Sequence, residues 1–494
     1  MTAIKSLAKE TLIYGLSYSL GRVINFLLVT FYLTSYLFIA KDGSIALYQD
    51  LYFYIALFLG ILTLRMETSF FRFVSKEEYS KGLYAMLSQL VFFACVFFIV
   101  FFIVFKKPIL IFLKYPAEYG NVLFIACCIL ILDVLSSLPF AKLRYDKRPL
   151  KYAWIKLVGI FVNIVLVLFI FEIYFNSNEV QQLSSSEKIY YILIANVIGS
   201  LLTLVFLFQE IKESFKRANW NYLKPIMIYS WPLILVTLIY TIIQNGYTSF
   251  LKYLLPGTNV ENLSNTDDLV AAVRLAVIMN IFITAFNYAV EPFFFRHSGQ
   301  KDARKTYASI NLVFTIACCA IYIMTCLNVD LVSLLVGKEY RSAIHLLPIL
   351  LLSNIFSGIF SNMSSWYKLN DKTLEAALIS LSGLFLNTIL FIILVPIYGK
   401  DAAAWISLIV YFLMTVISYI QGQKHYYIPY NIKKVGGYLL CSVLIVYIFN
   451  NYLNNLISNH YYNFGLSLIF VSILLYVAYT FEWKQMKQSE ALMN

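Results

Sequence analysis

Charge is what this sequence lacks most. Of its 494 residues only 13% are Asp, Glu, Lys or Arg, while 61% are hydrophobic. Soluble globular chains carry about 25% charged residues. This composition therefore predicts an all-α polytopic membrane protein. No stretch between the apolar segments is long enough to fold alone, the loops 175–187 and 252–267 included, so an appended catalytic domain is excluded. The chain also has no G-x-x-x-x-G-K-[ST], no H-E-x-x-H and no G-x-S-x-G. Neither ATP-driven transport by this chain nor the corresponding hydrolytic chemistries are expected, and the reading is a non-enzyme without a cofactor.

Other absences narrow the reading further. Seven cysteines include the pairs Cys127-Cys128 and Cys318-Cys319, but they lie in apolar segments with no C-x-x-C or Cys/His spacing. Neither disulfides nor a metal site is expected. His297, His345, His425 and His460 fall near predicted interfaces and offer no proton relay. Lys5 and Lys9 precede an apolar run too long for the core of a signal peptide, with no small-residue cleavage site, so the first helix is expected to stay in the protein.

What the chain does have is apolar runs of membrane-spanning length, about 20 residues each. They fall near 11–33, 46–64, 83–105, 121–140, 152–174, 188–208, 224–247, 268–290, 307–327, 343–366, 374–397, 401–420, 435–453 and 462–481, which makes about fourteen transmembrane helices. The basic residues alternate between loops. About 26 of the 38 lie in one set, which includes Arg65, Arg72, Lys142, Arg144, Arg148, Arg217, Lys301 and Lys305. Acidic residues divide almost evenly. The net charge of +12 is thus read as a topology signal, with both termini cytoplasmic, and not as a nucleic-acid-binding surface.

An internal repeat is visible. ETSFFRFVSKEEYSKGLYA, from Glu67, and EPFFFRHSGQKDARKTYA, from Glu291, share E-x-x-F-F-R, a basic stretch and Tyr-Ala at an offset of about 224 residues. Asp146-Lys147, Gly159 and Asn163 find counterparts in Asp371-Lys372, Gly383 and Asn387 at nearly the same offset. Duplication of an even number of spans puts both halves the same way up, related by a pseudo-twofold axis along the membrane normal. The expected organisation is a six-helix lobe over 1–215, a second over 216–430, and two further helices with a cytoplasmic tail over 431–494.

Polar residues inside the spans mark faces. In the first span Tyr18, Arg22 and Asn25 lie on one face. Buried arginine is costly in a bilayer, roughly 2.5–3.5 kcal/mol at the centre on insertion scales. Arg22 is therefore expected either to face a wet cavity between the lobes or to pair with a buried acid. Gln244 sits on a similar stripe in the seventh span, and Asn280, Asn287 and Glu291 do so in the eighth, with Arg274 on a neighbouring face nearer the outside. The tenth span carries Ser353, Asn354, Ser357, Ser361, Ser364 and Ser365, which serve either the cavity or helix packing. Asp133 and Lys156 fall at similar depths and are read as a salt bridge or as part of ion or substrate coupling, with Glu291 a further coupling candidate.

The segments AFNYAVEPFFFRHSGQKDARKTYA, WYKLNDKTLEAALISLSGLFLNTILFIILVPIYGKDAAAW and LPFAKLRYDKRPLKYAWIKLVGI resemble polysaccharide biosynthesis flippases of the multidrug/oligosaccharidyl-lipid/polysaccharide exporter superfamily. The resemblance runs from about residue 10 to about residue 430. It implies two six-helix lobes around a central, often cationic cavity that opens alternately to either side of a bacterial inner membrane. It also implies a polyprenyl-pyrophosphate-linked oligosaccharide as substrate, membrane lipid around the carrier tail, other polysaccharide assembly proteins as partners, and no nucleic acid. By helix position, Arg22 and Arg274 match arginines that bind the pyrophosphate region in the related lipid II flippase. One departure is Tyr247, Thr248 and Ser249, which stand where many members carry an Asp-Arg pair. Two other classes remain open. A cation-coupled multidrug exporter would favour acidic cavity residues, and a membrane glycan polymerase or ligase would favour a long external loop.

Overall fold

The computed structural model describes residues 21–483 except 22, 25, 40, 75–76, 80–81, 298–302, 365, 368–371 and 454–459. The described residues are helical almost throughout and contain no strand. This is what a bilayer demands, since a helix satisfies its backbone polar groups internally where no water is available. The long helices are α1 (Leu27–Leu37, wound with wide π-type turns), α2 (Ser44–Leu62), α3 (Leu83–Phe112), α4 (Gly120–Tyr145), α5 (Pro149–Leu168), α6 (Ser185–Phe206) and α7 (Leu223–Asn245). They continue as α8 (Asn259–His297), α9 (Ala303–Leu327), α10 (Leu347–Met363), α11 (Thr373–Tyr398), α12 (Ala402–His425), α13 (Ile432–Ile448) and α14 (His460–Ala478). Twelve described helical runs are long and apolar enough to cross a membrane. One of them, Leu374–His425, holds both α11 and α12, while α1, with eleven described residues, lies outside that set, and most of the first predicted span, 11–33, lies outside the described residues.

Helix ends follow local chemistry. Pro149 opens α5 in its first turn, where a missing N–H costs nothing. Ser184 and Glu187 form a capping box at the start of α6. Gly399, with φ of +65°, turns the chain between α11 and α12.

The chain divides into two compact units, residues 1–270 with 373–400, and residues 271–372 with 401–494. In the first, α6 packs against both α4 and α5, α7 lies between α2 and α11, and α3 flanks α4. The α5–α6 contact is close because glycines meet there. A Cβ on Gly199 would come within 2.9 Å of the Gly159 carbonyl oxygen, and one on Gly159 within 2.6 Å of Thr203 Oγ1. Backbones that approach this closely are the small-residue packing expected inside membranes. In the second unit, α10 packs on α12, while α9 carries α10, α13 and α14. Outward-facing apolar side chains, such as Phe97, Val104 and Ile103 on α3 and Tyr476 on α14, would be covered by lipid.

Candidate functional site

Three predicted cavity residues, Tyr18, Arg22 and Asn25, lie outside the described residues, as does the side chain of Glu291. The rest fall on two groups of helices, and a third group of polar residues stands beside them.

The first group is the polar seam between α8 and α10. Arg274 is buried in α8. Asn287 donates its amide to Ser361 Oγ at 3.1 Å, and Asn354 of α10 donates to the Ala276 carbonyl of α8 at 3.1 Å. Asn280 is half-buried, and its carbonyl accepts from Thr284 Oγ1 at 2.7 Å. The polar run of α10 therefore serves helix packing at Asn354 and Ser361, the second of the two roles open to it from sequence.

The second group lies within the first unit. Asp133 of α4 accepts a hydrogen bond from Ser200 Oγ of α6 at 2.9 Å, while Lys156 of α5 places its ammonium 4.2 Å from the centre of the Phe140 ring. Among the described residues no ion pair joins Asp133 to Lys156, so the direct salt bridge expected from their matching depths does not form. The reason is α6, which packs on both α4 and α5 and brings its hydroxyl to the carboxylate. The two charges still act on one another electrostatically. Tyr52 of α2 and Asn196 of α6 are hydrogen-bonded one turn from Ser200, so the carboxylate belongs to a polar patch inside the helix bundle. Gln244 is half-buried near the end of α7.

The third group centres on two residues not singled out from sequence, Asp50 and Lys252. Lys252, in the short helix Tyr247–Leu254 that follows α7, pairs with Asp50 of α2, and neither side chain is exposed. Tyr115, Thr248 and Ser249 also donate to that carboxylate. Thr248 and Ser249 stand where many of the flippases that the sequence resembles carry an Asp-Arg pair, and in this chain their hydroxyls donate to the carboxylate of another helix. Nearby, Asp267 and Asp268 near the start of α8 bond to the segment that opens α2 and to Lys400. The only sequence signal for these contacts was a scatter of charges at span ends.

No cluster of His, Cys, Asp or Glu suited to a metal occurs among the described residues. No family model matches the chain, and no curated protein matches it in sequence. Solved structures do match in fold. The lipid II flippase MurJ, in an inward closed conformation, aligns over 96% of this chain and 99% of its own, with a TM-score of 0.61 and 16% identity. A MATE family multidrug resistance transporter of the MOP superfamily, facing outward, aligns over 85% of this chain and 95% of its own, with a TM-score of 0.58 and 14% identity. The Vibrio cholerae MATE transporter VcmN, in its bent form, aligns over 90% of this chain and 100% of its own, with a TM-score of 0.53 and 16% identity. At these identities the likeness shows the fold alone, an all-α fold with two lobes.

Proposed function

We propose that this chain is a flippase that carries polyprenyl-pyrophosphate-linked oligosaccharides across a bacterial inner membrane by alternating access, for surface polysaccharide assembly. In this reading residues 1–215 and 216–430 act as two lobes, 431–494 adds the last two helices, and the basic loops and both termini face the cytoplasm. Other polysaccharide assembly proteins would receive the product.

The observation that carries the reading is the buried arginine of α8. A guanidinium held inside a membrane helix is expensive unless it meets water or an anion. A sugar pyrophosphate cannot cross hydrocarbon with its charges and hydroxyls stripped of water. Arg274, together with Arg22, would replace that water with planar, two-pronged hydrogen bonds suited to phosphate oxygens. Asn280, Asn287, Gln244, Tyr18 and Asn25 would meet the sugar hydroxyls, while the polyprenyl chain stays in lipid. Asp133, Lys156 and Glu291 are proposed as coupling groups. The fold shared with the lipid II flippase supports this reading.

The same fold occurs in multidrug transporters, so a cation-coupled exporter is the second reading, and the Asp133 patch favours it. Deletion of the chain followed by analysis of lipid-linked glycans separates the two. Accumulation of a polyprenyl-pyrophosphate glycan on the cytoplasmic leaflet is expected. Unchanged glycan lipids together with drug sensitivity would establish the exporter instead. Normal glycan export by a well-expressed Arg22→Ala, Arg274→Ala variant would remove the cationic-cavity mechanism.

A further inference from the structure

Helix α2 ends at Leu62, and a short helix, Met66–Val74, begins after a break. Two residues at the break, Leu64 and Arg65, have φ of +48° and +54°. In that left-handed region a β-carbon crowds the following carbonyl, so two consecutive non-glycine residues there strain the joint.

The sequence supplies its own comparison. E-x-x-F-F-R starts at Glu67 in one half and at Glu291 in the other. At the positions matching Leu64 and Arg65 the second copy has Tyr288 and Ala289, and α8 runs through them without interruption from Asn259 to His297. The motif is therefore compatible with a straight helix, and something other than the motif sets the break.

Docking contacts hold the broken form. The short helix buries Met66, Ser69, Phe70 and Phe73, an i, i+3, i+4, i+7 face. Phe70 meets the rings of Tyr84 and Tyr145 at 5.7 and 5.5 Å between centres, and Phe73 meets Tyr229 at 5.8 Å. Ser69 Oγ lies 2.6 Å from Ser230 Oγ of α7 and acts as the donor, because the Ser230 hydroxyl gives its proton to the Ile226 carbonyl at 2.8 Å. Glu67 pairs with Arg144 of α4, and the Arg72 guanidinium lies 4.4 Å from the centre of the Tyr229 ring. The short helix thus ties the end of α4 to α7. Strain at the joint opposes the tie.

We propose that residues 66–74 form a strap, which opens by swinging on the Leu64–Arg65 joint into a straight continuation of α2 and so releases its tie between α4 and α7. Once undocked, the strap is an amphipathic segment whose apolar face suits the boundary between lipid and water. The strap and every partner named here belong to the first unit, and the movement depends on no particular substrate.

The test uses the purified full chain with Cys128 and Cys441 replaced by serine and Ser69→Cys as reporter, labelled by a maleimide. The same protein without the reporter gives the background. Ser69 is fully buried while the strap is docked, so the labelling rate follows opening. Glu67→Gln, which removes the ion pair, is expected to raise the rate at least threefold. Leu64→Gly, which relieves the joint, is expected to lower it at least threefold. The two variants must move in opposite directions. Faster labelling of Leu64→Gly would make the joint a slack hinge and overturn the proposal, as would an unchanged rate in either variant. A second measurement places spin labels at Leu57→Cys and Val74→Cys. A straight helix separates those backbone positions by about 26 Å. A population at that separation should grow with Glu67→Gln and shrink with Leu64→Gly, and one unchanging shorter distance in all the proteins would also overturn the strap.

Discussion

Lys252 Nζ lies 2.5 Å from Asp50 Oδ2, and both side chains are fully buried. The ammonium is surrounded by the rings of Tyr115, Tyr253 and Tyr54, at 4.7, 4.9 and 5.7 Å from their centres. The carboxylate gains further donors, Tyr115 at 2.7 Å and Thr248 at 3.4 Å. Buried ion pairs cost desolvation on both sides, and this one offsets it with close geometry and extra hydrogen bonds. The pair joins α2 to the segment after α7.

Breaking the pair from one side should be worse than removing it. Asp50→Asn or Lys252→Met alone leaves a buried charge and is expected to lower stability by about 3–5 kcal/mol. The double variant should recover most of that loss. Thermal unfolding of the purified proteins in detergent measures the difference. A double variant as unstable as the worse single would show that the cage and not the charge pairing holds the helices.

The α5–α6 contact makes a steric prediction. Gly199→Leu would push a side chain into the Gly159 carbonyl, whereas a change on the lipid side, such as Phe97→Leu, would not. The first should destabilise by roughly 2–3 kcal/mol and the second by well under about 1 kcal/mol. Denaturation curves of the two proteins check this, and equal midpoints would mean that α5 and α6 are not packed backbone to backbone.

Asp133 tests coupling. Asp133→Asn keeps an acceptor for Ser200 and should leave abundance unchanged, while reducing export driven by an ion gradient at least tenfold if the carboxylate carries the coupling charge. Asp133→Leu strands Ser200 as well and should also destabilise, by about 1–3 kcal/mol. Proteoliposome transport with and without a gradient reads the first effect. Full gradient-driven transport by Asp133→Asn would make the residue structural.

Orientation has a direct check. Glu118→Cys, in the turn between α3 and α4, should react with impermeant reagent in intact cells, and Arg148→Cys, between α4 and α5, should react only after permeabilisation. The opposite pattern would invert the topology.

The second span, Tyr-rich at its start, is a regular helix over Ser44–Leu62. The pattern at Asp133 and Lys156 shows where local reading stops. Their depth was legible from distance to the loop, but their partners were not, because the rotation of α6 decides which group reaches the carboxylate first. The same holds for Asn354, which reads from sequence as either a cavity or a packing residue and donates to the Ala276 carbonyl.

The sequence alone determined the class and the spans from the second onward. Each of these rests on local or periodic quantities, such as the length of an apolar run, a proline or glycine at its end, and charges counted loop by loop. The tertiary structure decided the partners. Gly43 meets Asp267, Asp50 meets Lys252 and Asp133 meets Ser200 across 224, 202 and 67 residues. Such pairings depend on how each helix is turned about its axis and how closely backbones approach. In a chain this uniformly apolar, neither is set by the period of the sequence, because almost every face of a helix is hydrophobic enough to pack.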